Sequence, residues 1–203
     1  MPRFVDPAER RREVVDALKR IVVADGLERV SLREVAAEAG LVVGSVRHYF
    51  SSSTELLVFA FSAVVDDVVA RLVRESAASG EEGVVAQLCG LLPLDEARAV
   101  DLCVWAEFRL ASRTRPELAP TAERSHREVA AAVGRSLLAL RPDAGQETLV
   151  REAERLLATA EGLGLHAMLH GQWLDAELCL AVLRAQVAGI AGAAVAQQGG
   201  DRH

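Results

Sequence analysis

Leu32–Tyr49 reads LREVAAEAGLVVGSVRHY, and the spacing within it decides the fold. Leu32, Val35, Ala39, Leu41, Val46 and Tyr49 fall where two short crossed helices would face each other and a third helix. Ala36 is small where two helices must approach closely. Gly40 sits in a turn of only a few residues, which needs a left-handed backbone that a Cβ would resist. This is helix-turn-helix spacing, and the second helix of such a pair, here about Val42 to Tyr49, lies in a DNA major groove with its early residues at base edges.

Working outward, Ser31-Leu-Arg-Glu34 has the spacing of a capping box and starts the first of the two short helices. Upstream, a helix is expected from Asp6 or Pro7 to Asp25. Pro7 suits a first helical position, Val14, Leu18, Ile21 and Val22 recur on one face, and Gly26 ends it. Downstream, SSSTELL supplies hydroxyl caps before a longer helix from about Thr54 to Ser76. The composition shift over Ser76 to Gly83 opens a new segment. Pro93, Thr114 to Pro120, Pro142 to Gly145 and Gly171 to Leu174 then cut the remainder into helices near 84–92, 94–112, 117–140, 146–170 and 175–197. The expectation is an all-α chain of about nine helices, with a three-helix DNA-binding domain over 1–51 and a larger helical bundle over 52–203.

Composition agrees. Of 203 residues, 51% are hydrophobic and 4% aromatic, which excludes a disordered tail and disfavours a β-sandwich. The net charge is −6, so the protein is not coated with basic surface, and any nucleic-acid contact is local. Residues 1–50 carry 9 basic and 8 acidic side chains, net +1, against 14 and 21, net −7, over 51–203. Cys89, Cys103 and Cys179 are odd in number and far apart, the pattern of reduced thiols and not of a disulfide framework. Neither a leader with an apolar core nor a membrane-length apolar run is read, so a cytoplasmic protein is expected. Nucleophile-elbow, phosphate-loop and dinucleotide fingerprints do not occur, so neither enzymatic activity nor a cofactor is expected. His166 and His170 have the spacing of two metal ligands on one helical face, but HAMLH lacks the Glu of a zinc-protease helix, and a metal is not expected.

The run SLREVAAEAGLVVGSVRHYFSSSTELL, Ser31–Leu57, resembles the signature of the TetR family of one-component transcriptional regulators. Gly44, His48, Tyr49, Phe50 and Glu55-Leu56-Leu57 all contribute to the likeness. The resemblance implies a homodimer whose three N-terminal helices bind operator DNA and whose helical C-terminal half forms a ligand pocket and the dimer interface. The chain departs from the family pattern at Val42-Val43, where relatives usually have Ser-Lys, at Arg47, often Tyr, and at Ser53, commonly Lys. Several phosphate donors are therefore missing. Val42 and Val43 can pack on thymine methyl groups, and Ser45 can reach a base edge or a nearby phosphate. Arg47 can reach a guanine edge or a phosphate, the latter favoured because late positions in a recognition helix point away from the bases. His48 is assigned to phosphate, Tyr49 to phosphate or core, and Ser31 and Arg33 complete the expected DNA-binding set. Arg3, Arg10, Arg11 and Arg12 are either an arm on DNA or a solvated face.

In the C-terminal half, Ala160, Gly162, Gly164 and Ala167 on one helix and Ala185, Ala188, Gly189, Gly192 and Ala193 on the next would let backbones approach closely, as a two-fold interface needs. Trp105 and Phe108 share a helical face with Glu107 alongside. That set, with His166, is the sequence's candidate for binding a cationic or amphipathic small-molecule effector, against the alternative that the aromatics fill core. The functional expectation is a regulator, a repressor released from a pseudo-palindromic operator by such an effector. The competing readings are a helical ligand-binding or enzymatic bundle with a vestigial helix-turn-helix, and a regulator answering to a protein partner.

Overall fold

The computed structural model describes residues 6–76, 80–170 and 175–200, with side chains as far as residue 192. Arg3, the Gly171 to Leu174 break and the side chain of Ala193 lie outside that range. The described residues form helices α1 (Pro7–Asp25), α2 (Leu32–Glu38), α3 (Val43–Tyr49), α4 (Ser53–Glu75), α5 (Gly80–Cys89), α6 (Glu96–Ala111), α7 (Ala119–Leu140), α8 (Gln146–Leu169) and α9 (Ala176–Gly200), with no strand among them. Short 3-10 turns precede α2 at Leu27–Arg29 and α7 at Pro116–Leu118. The all-α architecture expected from the sequence is the one observed.

Local chemistry sets the first four helix boundaries. The Asp6 carboxylate accepts from the Ala8 N–H at 2.9 Å and Pro7 opens α1. Gly26, at φ 81°, closes it. Ser31 Oγ accepts from the Glu34 N–H at 3.1 Å and starts α2. Gly40 adopts φ 66°, and nothing lies within 4 Å of where its Cβ would be, so backbone handedness and not lack of space demands glycine there. Ser52 Oγ caps the Glu55 N–H at 3.1 Å, while the Glu55 carboxylate accepts from the Ser51 N–H and hydroxyl at 2.7 and 2.6 Å.

Among the later helices four depart from expectation by two residues or more. α7 starts at Ala119 and not near 117, where a 3-10 turn stands, and α9 runs to Gly200 and not to 197. α5 was expected over 84–92 but spans Gly80–Cys89: its first turn contains Gly80 and Gly83, read as breakers, and its acidic pair Glu81 and Glu82 suits a helix start. α6 begins at Glu96 and not near 94, because Asp95 caps it, its carboxylate accepting from the Arg98 N–H at 2.8 Å.

The chain divides into two compact units. The first comprises the described residues of Met1–Asp66 with Cys103–Arg124, the second those of Asp67–Leu102 with Ser125–His203. In the first, α1 packs on α2 and α2 on α3. Its core gathers Val14, Leu18, Val35, Ala36, Val46, Phe61 and Phe108, all fully buried, and burying each larger one contributes about 1.5–3 kcal/mol. Phe61 and Phe108 stack with centroids 4.8 Å apart and planes 5° from parallel. In the second unit α5 packs against α8 and α9, and α8 against α9. Gly164 makes the close approach there, since a Cβ would stand 2.9 Å from the Leu91 carbonyl oxygen and from a Leu102 methyl. The Arg71–Asp101 ion pair is largely buried in this unit, with side chains 11% and 14% exposed.

Cys89 and Cys179 are buried and Cys103 half-buried, all three as free thiols. Burial pushes each thiol up from its ordinary value, with Glu75 adding to the shift of Cys89, Glu107 to that of Cys103 and Asp175 to that of Cys179.

Candidate nucleic-acid interface

α3 has seven residues and buries only one of them, Val46. So short a helix is held by docking onto α2, the contact that fixes its axis. With Val46 turned inward, the opposite face is presented outward: Val42, at the helix start, is 72% exposed, and Gly44, Arg47 and His48 are exposed. Val43, Ser45 and Tyr49 are half-buried on the flanks, and the Tyr49 and His48 rings stand nearly perpendicular with centroids 5.1 Å apart. Ser31 also is half-buried. Its oxygen is engaged in capping α2, and the hydroxyl proton stays available to an outside acceptor.

The distribution of cations in the first unit is uneven. Arg10 pairs with Glu13 at 2.6 Å, Arg20 with Glu38 at 2.5 Å, Arg115 with Glu28 at 2.7 Å and Arg124 with Asp66 at 2.7 Å. Arg11 lies 5.6 Å from the Phe59 ring centroid. Arg33 and Arg47, both exposed, make no ion pair with any described residue. Such arginines keep their full donor capacity for phosphate or base edges.

Gly44 carries a signal of its own. It lies within a helix, where glycine costs roughly 0.5–1 kcal/mol relative to alanine, yet nothing in the chain lies within 4 Å of its virtual Cβ. The chain's own packing therefore gives no reason for it.

The expected effector residues divide between the two units. Trp105 and Phe108 are buried in the first, where Phe108 stacks on Phe61 and the Arg109 guanidinium lies 4.5 Å from the Trp105 ring centroid. Arg109 thus already supplies a cation to that ring. Glu107 is half-buried in the same unit, and His166 is exposed on α8 in the second. The second unit also contains a cavity of about 420 Å³ among α4, α5 and α7, lined by Gln87 and Arg135 and by none of the four expected residues. Gln87 and Arg135 were missed in the sequence because they stand 48 positions apart. The available signal was a lone amide inside the apolar run VVAQLC. Among the described residues no group of three or more His, Cys, Asp or Glu could hold a metal ion, and no helix is long and apolar enough to cross a membrane.

An exposed recognition helix docked on a capped partner through a glycine turn defines a helix-turn-helix DNA-binding protein. The particular family follows from comparison with known proteins. Residues 14–59 match the family described as bacterial regulatory proteins, tetR family, and residues 80–192 match the C-terminal domain of BetI-type transcriptional repressors. The chain is 34% identical over 180 residues to the HTH-type transcriptional regulator PksA of Bacillus subtilis (strain 168), covering 83% of each chain. A solved structure of a transcriptional regulator from Rhodococcus sp. Rha1 matches with a TM-score of 0.80 and 31% identity, over 89% of this chain and 95% of that one. The multidrug binding protein EbrR, solved in complex with ethidium, matches with a TM-score of 0.63 and 27% identity, over 88% and 98% of the two chains. The chain belongs to the TetR family and is a DNA-binding transcriptional regulator.

Proposed function

We propose that this regulator is a repressor that works as a homodimer on a pseudo-palindromic operator and is released from it by a small molecule. The observation that carries the DNA half is the outer face of α3, where Arg47 is exposed without an ion pair and the apolar head Val42 is 72% exposed, with Arg33 of α2 likewise exposed and unpaired. On this reading Val42 and Val43 pack on thymine methyl groups and Ser45 reaches a base edge. Ser31, Arg33, Arg47, His48 and Tyr49 hold phosphates. A two-fold mate would place a second α3 one helical turn away, roughly 34 Å along the duplex. Support for the mate comes from α8 and α9, where Leu165, Leu169 and Leu178 are exposed large apolar residues and Gly162, Gly189 and Gly192 have open space beside them.

Release is a matter of linkage. An effector that binds better to the dimer with mis-spaced recognition helices lowers DNA affinity by the same factor, with couplings of roughly 1–3 kcal/mol. Support for a small-molecule effector comes from the family and from EbrR, which was solved with ethidium bound.

The test of the DNA half is fluorescence anisotropy on an operator duplex across a salt series. Arg47→Ala should weaken binding similarly on all sequences and reduce the salt slope by about one. Unchanged affinity and slope after Arg47→Glu would take Arg47 out of the interface.

A further inference from the structure

His166 and His170 stand one turn apart at the carboxyl end of α8, and both are exposed. His170 follows the helix at φ −136° and ψ 38°, outside the helical region, yet its N–H still donates to the His166 carbonyl at 2.7 Å. That bond keeps the two residues in α-helical register, the spacing that lays two side chains one above the other on the same face. The ring centroids are 6.3 Å apart and the planes 56° from parallel. Neither side chain makes a hydrogen bond or ion pair with any described residue, in contrast to His126, whose Nε2 lies 3.1 Å from the Glu154 carboxylate.

Two imidazoles ligating one ion through bonds of about 2.1 Å would have centroids roughly 5 Å apart. The observed separation is slightly wider, and small rotations of two exposed side chains close the difference. The helix favours a cation at this end, because its last carbonyls carry about −0.5 of an elementary charge. No Lys or Arg occurs between Arg155 and Arg184, so the stretch carries no fixed cation of its own to oppose one. HAMLH lacks the Glu of a zinc-protease helix, which rules out that catalytic centre. A chelate needs less, only that both rings reach one ion.

We propose that His166 and His170 together bind one divalent late transition-metal ion, Ni²⁺, Cu²⁺ or Zn²⁺, with water in its remaining positions. Imidazole nitrogen suits these ions, whereas Mg²⁺ and Ca²⁺ take oxygen ligands. The usual order of affinities places Cu²⁺ above Ni²⁺ and Zn²⁺ at such a pair. His166, nominated from the sequence for an effector beside Trp105, thereby serves in the second unit as a metal ligand.

The test uses the full chain, free of any affinity tag, titrated with Ni²⁺, Cu²⁺ and Zn²⁺ by calorimetry, with Mg²⁺ as the control that prefers oxygen. The expected result is one tightly bound ion per chain, with His166→Ala and His170→Ala each weakening Ni²⁺ at least tenfold and His126→Gln leaving it unchanged. Both residues are exposed, so the two alanine variants should keep the melting temperature of the metal-free parent, and the rise that Ni²⁺ gives the parent should vanish in them. One equivalent of Cu²⁺ should show two coupled nitrogens by electron paramagnetic resonance and lose one in either alanine variant. Failure of all three ions to bind, undiminished binding in either alanine variant, loss on His126→Gln instead, or Mg²⁺ bound as tightly as Ni²⁺ would each overturn the site.

Discussion

The outer face of α3 and the α4–α5–α7 cavity are both candidate binding surfaces made from short stretches of helix, yet they are built in opposite ways. The α3 surface comes from one run of residues, Val42 to Tyr49, and leaves its polar groups in solvent. The cavity gathers residues as far apart as Val73 and Ala139. A duplex is large, so the surface that meets it must project and can be encoded locally. A small molecule must be enclosed, so its site has to be assembled from distant segments.

The strongest challenge to this contrast comes from the scaffold of the first unit. Phe108→Ala removes a fully buried ring stacked on Phe61 and should cost about 3–5 kcal/mol in a denaturant titration. A loss under about 1 kcal/mol would mean that the core of that unit is as tolerant as an exposed face.

A smaller effect, with two signs, sharpens the account of α3. Gly44→Ala should stabilise the fold by about 0.5–1 kcal/mol, since a helix gains from alanine and the site has open space. The same substitution should weaken operator binding, because the added methyl stands between the α3 backbone and the duplex. Stabilisation with unaltered DNA affinity would return Gly44 to an ordinary surface position.

The smallest effect concerns the start of α4. Hydrogen bonds from the Ser51 hydroxyl and then from its N–H hold the Glu55 carboxyl below its ordinary value. A carboxylate whose folded pKa is depressed contributes stability that is present above its unfolded pKa and is lost as pH falls through the folded one. The contribution should therefore be intact at neutral pH and fade as pH falls through the ordinary carboxylate range and below it. Glu55→Gln should flatten the acid limb of the stability profile slightly, and an unchanged limb would mean that the exposed clasp adds nothing measurable.

The same division between local and dispersed features explains what could be read in the sequence. α1 to α4 were legible to within a residue or two because Asp6, Ser31, Ser52, Gly26 and Gly40 write the boundaries into the chain itself. Val42, Arg33, Arg47 and His48 were nominated from spacing and resemblance, and the structure places them exposed on the first unit. The start of α5 was misread because glycines at a helix start look like a loop until tertiary contacts with α8 and α9 make them helical. Trp105 and Phe108 were recognisable as unusual, but whether such aromatics face a ligand or a neighbour depends on Phe61 and Arg109, which no local pattern ties to them. Gln87 becomes notable only once the carbonyls of Leu72 and Ala132 are seen to take both hydrogens of its amide.

The most direct test of the central claim is footprinting of the purified protein on genomic DNA, repeated with a Ser45→Glu/Arg47→Glu variant of the α3 outer face. The account predicts paired protected half-sites about one helical turn, roughly 34 Å, apart for the parent, and their disappearance in a variant that still folds. Protection that persists unchanged in the folded variant would contradict it.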